Sequence, residues 1–254
     1  MSAESLLKDG PDVLLSVRET RLMVERIMLL TGLPPGAVSA AREMVIAAEG
    51  LGLNGLAHLR DNFDSLRGMQ PTRLKLLSVD APDAQLDAQL DAQLDALGEH
   101  AWSVGPAVLD IAVAQAFETG KSASLLLRNV RHGEFLAALV PLALRQQADV
   151  TVTAEGNAYR ITAADKRGQI AAADSVGTDA FLAGMLKRGF PTERALWADI
   201  YELSNRSLTP DSVVSRRHAG PIILDDQGRI IGRTDDDETD FSLLTGAADS
   251  TAAA

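Results

Sequence analysis

The sequence predicts an α/β protein: helices at the N-terminus, a central mixed sheet with helices packed on it, and a C-terminal hairpin. Three observations carry this. Apolar residues recur at helical spacing through residues 17–66. Helix-like and β-branched alternating segments then succeed one another from residue 105 to residue 162. Last, Pro221–Gly232 has two apolar runs around Asp225-Asp-Gln-Gly228, with glycine placed for positive φ.

Residues 17–30 form the first expected helix, with Met23, Val24, Ile27, Met28 and Leu30 on one side and Arg18, Glu19, Arg21, Glu25 and Arg26 on the other. Thr31-Gly-Leu-Pro-Pro-Gly36 ends it, because proline lacks a donor and restricts the residue before it. A second helix is expected from about Ala37, with Val38, Ala41, Val45 and Ala48 inward, and Gly50 and Gly52 stopping it. A third starts near Asn54, a good capping residue, and runs to Leu66. His58 then lies in its first turns as a packed or surface residue.

Residues 83–97 repeat Asp-Ala-Gln-Leu. On a helix, a four-residue period drifts by about 40° per repeat, leaving Leu86, Leu90 and Leu94 in a loose stripe. Asp87, Asp91 and Asp95 form another, and like charges at i,i+4 weaken a helix. A tolerated surface insertion is the favoured reading, a cation-binding face or partner helix the alternative. Gly105-Pro106 is expected to open a helix that Gly120 closes. Ser122–Arg128 reads as a buried strand and Gly133–Gln147 as a helix across Pro141. Asp149–Thr153, Tyr159–Thr162 and Gln169–Ala173 read as strands. Helices follow over 177–190 and from Pro191. His100 and Trp102 have no assigned role beyond packing. The expected organisation is a helical region over 1–80, the acidic repeat over 81–98, an α/β body with its hairpin over 99–244, and a disordered tail over 245–254.

Composition narrows the function classes. The 254 residues are 46% apolar, enough for a substantial core. With no cysteine, disulfides and thiolate metal sites are excluded. No segment is apolar for long enough to span a bilayer and no secretory leader is visible, so the expected location is the cytoplasm. The net charge of −11 resides almost wholly in Asp80–Asp95 and Asp235–Asp240, leaving a nearly neutral body. No basic stripe favours nucleic acid.

Within that acidic chain, Ser215, Arg216, Arg217 and His218 form a basic segment bounded by proline, serine and glycine. Arginine's fork of donors suits carboxylates and phosphates, and His218 can carry a proton. Arg128-Asn-Val-Arg-His132 follows a strand and precedes a helix, where α/β proteins place ligands. Arg128 and Asn129 are candidate substrate contacts and His132 a candidate proton carrier. Asp225 and Asp226, read with the 235–240 run, offer carboxylates for a hard cation. They also serve the turn, and no metal ligand is assigned. No P-loop, nucleophile elbow or complete dinucleotide fingerprint is present.

Two resemblances arise from these residues. Gly32-Leu-Pro-Pro-Gly-Ala37, Gly52-Leu-Asn-Gly-Leu-Ala-His-Leu59 and the segment Pro210…Ser215-Arg216…Ala219-Gly220 resemble a bacterial family of unknown function, over most of the chain. Gly105–Gly120 with Leu125-Leu-Leu-Arg-Asn-Val-Arg-His132 resembles the malate/L-lactate dehydrogenase family that is distinct from the classical Rossmann enzymes, over about a third of it. That family's Ser-His-Gly motif falls on Leu53-Asn54-Gly55, so its catalytic histidine is replaced by a side chain without acid–base chemistry at neutral pH. The resemblance implies NAD or NADP as cofactor. The functional expectation is a protein binding an anionic carboxylate metabolite, including a divergent NAD(P)-dependent reductase of a 2-oxo or imino acid. The alternatives are a non-catalytic ligand-binding or accessory subunit and a metal-dependent hydrolase. The expected partners are a small carboxylate and further copies of the chain, with no nucleic acid or membrane.

Overall fold

The computed structural model describes residue 8, residues 10–77, 92–167 and 179–208, and residue 227. The N-terminal helices form where the apolar period predicts them. Helix α1 (Val17–Leu30) starts at a reciprocal cap: the Ser16 Oγ accepts the Glu19 N–H at 3.1 Å, and the Glu19 carboxylate accepts the Ser16 N–H at 2.9 Å. Val17, Thr20, Met23, Val24, Ile27 and Met28 are its buried stripe. Helix α2 (Pro35–Gly50) begins two residues earlier than expected, because Pro35 takes the first helical position, where its missing donor is harmless.

Helix α3 (Gly55–Leu66) starts by a different device from the one its sequence suggests. Asn54 stands at the cap position, but its backbone is left-handed (φ 53°) and its side chain makes no cap bond. The carboxylate of Glu49, from the end of α2, accepts the Leu56 N–H at 2.9 Å instead. The helix joint is tight: a Cβ on Gly55 would lie 2.8 Å from the Val45 carbonyl oxygen.

The main sheet has the order β2 (Lys75–Leu77), β3 (Ala92–Asp95), β4 (Ala123–Arg128), β6 (Ala158–Asp165), β5 (Ala148–Glu155). It is mixed: β3–β4 is parallel, while β2–β3, β4–β6 and β5–β6 are antiparallel. Its inner face carries Leu94, Leu125, Leu127, Val150, Ile161 and Ala163, all buried. Helix α4 (Ala101–Thr119) packs on β6 and β4, and α5 (Leu139–Arg145) packs on β5. A two-turn 3-10 stretch, Gly133–Ala138, precedes α5, so the expected helix across Pro141 changes pitch midway. Helices α6 (Ala180–Arg188) and α7 (Arg194–Asn205) flank β7 (Phe190–Thr192), which pairs antiparallel with β1 (Val13–Leu15). Pro191 and Thr192 therefore belong to a strand rather than to the start of a helix.

Two other expectations are corrected. At the end of the acidic repeat, Ala92–Asp95 is strand β3 and not part of a helical stripe, while residues 83–91 lie outside the described residues. Leu94 is buried beside Leu127, and parallel pairing satisfies a backbone that clustered aspartates would not hold helical. Helix α4 opens at Ala101, four residues before Gly105, so Pro106 lies inside it. There it removes the one N–H that would reach the Trp102 carbonyl.

Among the described residues no helix is long and apolar enough to cross a membrane. The strand expected over 169–173, the hairpin around Pro221–Gly232 apart from Gln227, the basic segment Ser215–His218, the 235–240 acidic run and the 245–254 tail lie outside them.

Candidate functional site: a three-histidine centre

Strands β3 and β4 run parallel, and the chain segments that leave them stay zipped together. Ala96 N–H reaches Arg128 O at 2.9 Å, Gly98 N–H reaches Asn129 O at 2.8 Å, and Arg131 N–H reaches Glu99 O at 2.9 Å. Ala101 N–H then reaches Arg131 O at 3.0 Å, so His100 and Arg131 face each other as a parallel bridge. This brings His100 and His132 together at the carboxyl ends of the two strands, the place where open α/β sheets put ligands. The turns require left-handed backbone at Leu97 (φ 52°), Asn129 (φ 53°) and His132 (φ 53°). Each such non-glycine residue costs on the order of 1 kcal/mol, and strain of this kind gathers at functional sites. Helix α3 adds His58 from the opposite side.

Hydrogen bonds orient the three rings. His100 is fully buried and caps α4: its Nδ1 accepts the Trp102 N–H at 3.1 Å. In the neutral ring Nδ1 is thus the acceptor and Nε2 carries the hydrogen. That Nε2 lies 3.0 Å from the Nε2 of His58 and donates to it. One turn along α3, the Asn62 Nδ2 lies 3.2 Å from the other His58 nitrogen, Nδ1, and donates to the His58 carbonyl oxygen at 3.2 Å. His132 is half-exposed; its Nδ1 lies 3.3 Å from a Glu134 carboxylate oxygen and donates to it. This leaves Nε2 of the neutral His132 ring as the lone pair that the network does not use.

The three rings are in mutual contact, with centroids 4.4 Å apart for His58–His132, 5.0 Å for His100–His132 and 5.2 Å for His58–His100. One ring nitrogen from each lies within 4.8 Å of the other two. Trp102 and Phe135 wall the cluster, at 5.0 and 4.6 Å from the His58 centroid. The Tyr159 ring occupies the space a side chain at Gly133 would need, so glycine there fixes the turn carrying His132. Burial holds His100 down to about 2, with His58, His132 and Arg131 adding repulsion. His58 is lowered too, first by burial and then by His132. The paired His58 and His100 are therefore neutral at pH 7.

Of the residues singled out by sequence, His132 is in this centre. Asn129 is spent on the loop, its amide donating to Asp95 at 3.0 Å. Arg128 ends β4 with its Nε buried and without a hydrogen-bond partner, as are the Trp102 Nε1 and Ser103 Oγ. Arg131 donates to the Gly98 carbonyl at 2.6 Å. Ser215, Arg216, Arg217 and His218 lie outside the described residues. Sequence reasoning missed His58, His100 and Trp102. The available signal was scarcity: three of only four histidines converge here.

No family model matches the sequence, and no curated protein matches it, so the likeness to a bacterial family of unknown function is without support. Solved structures that align with the chain include sulfolactate dehydrogenase from Methanocaldococcus jannaschii, at 15% identity over 54% of this chain and 38% of the other, TM-score 0.40. Malate dehydrogenase from Pyrococcus horikoshii aligns at 15% identity over 63% and 49%, TM-score 0.43. Delta1-piperideine-2-carboxylate reductase from Pseudomonas syringae aligns at 16% identity over 77% and 70%, TM-score 0.40. The chain spans less than half the length of the first two.

Proposed function

We propose that this protein binds a small carboxylate metabolite at the three-histidine centre and, as a divergent reductase of a 2-oxo or imino acid, delivers a proton there from Nε2 of His132 in its protonated form, leaving the neutral ring with its hydrogen on Nδ1. The observation carrying the reading is the proton inventory of the cluster. His100 and His58 are committed to each other and to Trp102 and Asn62. His132 alone has a half-exposed ring, a carboxylate on Nδ1 and an uncommitted Nε2. A histidine oriented in this way is suited to acid–base work. Arg128, four residues earlier, has a buried Nε without a hydrogen-bond partner, and it is the candidate donor for an anion that substitution tests.

Reduction of such a substrate needs a hydride for its carbon as well as a proton for its oxygen or nitrogen. NAD or NADP is the source that the dehydrogenase resemblance implies. The described residues around the centre form no phosphate cradle, since Asn129 and Arg131 are both used within the loop. The chemistry assigned to this chain is therefore the proton step and the carboxylate grip. Ser215, Arg216, Arg217 and His218 are a separate candidate for gripping a carboxylate, which Arg216→Ala and Arg217→Ala test.

The test is a titration of the full chain with pyruvate and a cyclic imino acid, with and without reduced nicotinamide, followed by fluorescence of Trp102 in a Trp197→Phe background. Saturable binding is expected. Any nicotinamide oxidation should fall about 100-fold or more in His132→Asn, while carboxylate affinity stays within a few-fold. Binding without turnover selects the non-catalytic subunit. No binding of either acid removes the reading.

A further inference from the structure

We propose that His58, His100 and His132 together form a binding site for one first-row transition-metal dication of the zinc class, with one imidazole nitrogen from each as ligand. The inference rests on the same three rings as the carboxylate reading and adds an occupant to them. The three side chains come from separate elements: helix α3, the cap of α4, and the left-handed turn after β4. A purely structural histidine needs one partner. Here three rings are held against one another, with one nitrogen of each inside a 4.8 Å limit.

The geometry suits a small cation. Two nitrogens 2.0–2.1 Å from a tetrahedral zinc are about 3.4 Å apart. The His58 and His100 Nε2 atoms are already 3.0 Å apart. His132 sits on a half-exposed turn, with a nitrogen within 4.8 Å of the other two. The donor set also selects the metal. Three neutral imidazoles suit zinc, copper, nickel or iron, whereas magnesium and calcium require oxygen ligands. One of the three ligands carries the outer partner that metal-bound histidines use: Glu134 accepts from His132 Nδ1.

His100 opposes the site in one respect. Its Nδ1 accepts the Trp102 N–H, so its Nε2 carries a hydrogen in the metal-free ring. Ligation moves that hydrogen to Nδ1 and gives up one helix-cap hydrogen bond, a small loss beside a three-imidazole site. With three protein ligands a fourth position is open, and the exposed side of His132 leaves it accessible to a carboxylate oxygen.

The experiment uses the full chain, stripped with chelator and titrated with Co²⁺ and then Zn²⁺. A single equivalent is expected to bind at micromolar or lower concentration. It should give the visible absorption of nitrogen-ligated, low-coordinate cobalt, be displaced by zinc and raise the melting temperature. His58→Asn and His132→Asn should each weaken binding by about 100-fold. Glu134→Gln, which is not a ligand and is exposed, should weaken it by about 10-fold. No uptake at 100-fold excess overturns the site, as does uptake that survives both histidine substitutions. Repeating the carboxylate titration on stripped and loaded protein separates the two readings. Carboxylate binding without metal uptake sinks only the metal, and metal uptake without carboxylate binding in either form sinks only the metabolite.

Discussion

His100 concentrates several demands in one residue. It caps α4, donates to His58 and sits with no solvent exposure among other cationic or titratable groups. Its folded-state value is about 2 against an ordinary 6.5, with burial the main cause. Below pH 6.5 the unfolded chain takes up a proton that the folded chain refuses, so stability is full above that value and drains as the pH falls toward 2. For one such ring the slope approaches about 1.4 kcal/mol per pH unit. His58 is shifted in the same direction. Urea unfolding of metal-free protein at steps from pH 8 to pH 5 should show a falling midpoint. His100→Asn keeps a good capping residue but removes the titrating ring, so its midpoint should be lower at pH 8 and much flatter below. An equally steep pH dependence in that variant rules the explanation out. Gly133→Ala belongs to the same scale. A methyl group there meets the Tyr159 ring, so the turn carrying His132 has to shift, and the variant should lose Co²⁺ affinity even where it stays folded.

At the scale of elements, Glu49 joins the end of α2 to the start of α3, its carboxylate doing what the Asn54 side chain does not. Glu49→Ala should cost about 1 kcal/mol in urea unfolding, while Asn54→Gly should be neutral or stabilising, since the backbone there is left-handed. A larger loss from Asn54→Gly than from Glu49→Ala reverses the assignment. The same pair shows what the sequence makes legible. Helices α1 to α3 follow from apolar spacing, because burying one stripe is a local requirement. Strands β4, β5 and β6 follow from β-branched or continuous apolar runs. Which side chain caps a helix depends on a neighbouring helix, and residue type alone does not reveal it. Strand β3 was hidden in a tetrapeptide that looks helical by period, and β1, β2 and β7 are three residues each, too short to carry a pattern. The three-histidine centre was hidden for the same reason. His132 was identifiable from its place after a strand, but His100 reaches it only through the parallel pairing of β3 with β4.

At the scale of the whole molecule, Glu43 of α2 is the charged hub that ties distant parts of the chain. Arg21 of α1 and Arg145 of α5 each lie 2.7 Å from its Oε2, and Arg42 reaches its Oε1 at 3.0 Å. Arg145 also meets Asp179, which caps α6, at 3.1 Å. Burial alone pushes the Glu43 carboxyl up, but the hydrogen bonds from Arg21 and Arg145 outweigh it and hold the group below its usual 4.5. A lowered carboxylate contributes stability that is fully present above 4.5 and is lost as pH falls through the folded value. Its acid limb therefore begins where His100 and His58 are already opposing the fold. Removing Glu43 leaves two half-buried guanidinium groups facing each other, so Glu43→Ala should cost about 3 kcal/mol at pH 7, while the isosteric Glu43→Gln, which retains an acceptor, should cost less. By contrast, Asp165 and Arg167 bond to each other on the surface, where solvent screens the pair, and Asp165→Asn should leave the urea midpoint where it is. The comparison is to be made at pH 7 and again at pH 4. The penalty of Glu43→Ala should shrink at the lower pH, because below 4.5 the unfolded chain's carboxyl takes up a proton that the folded one resists. A penalty that is the same at both values assigns the role of Glu43 to packing rather than to charge.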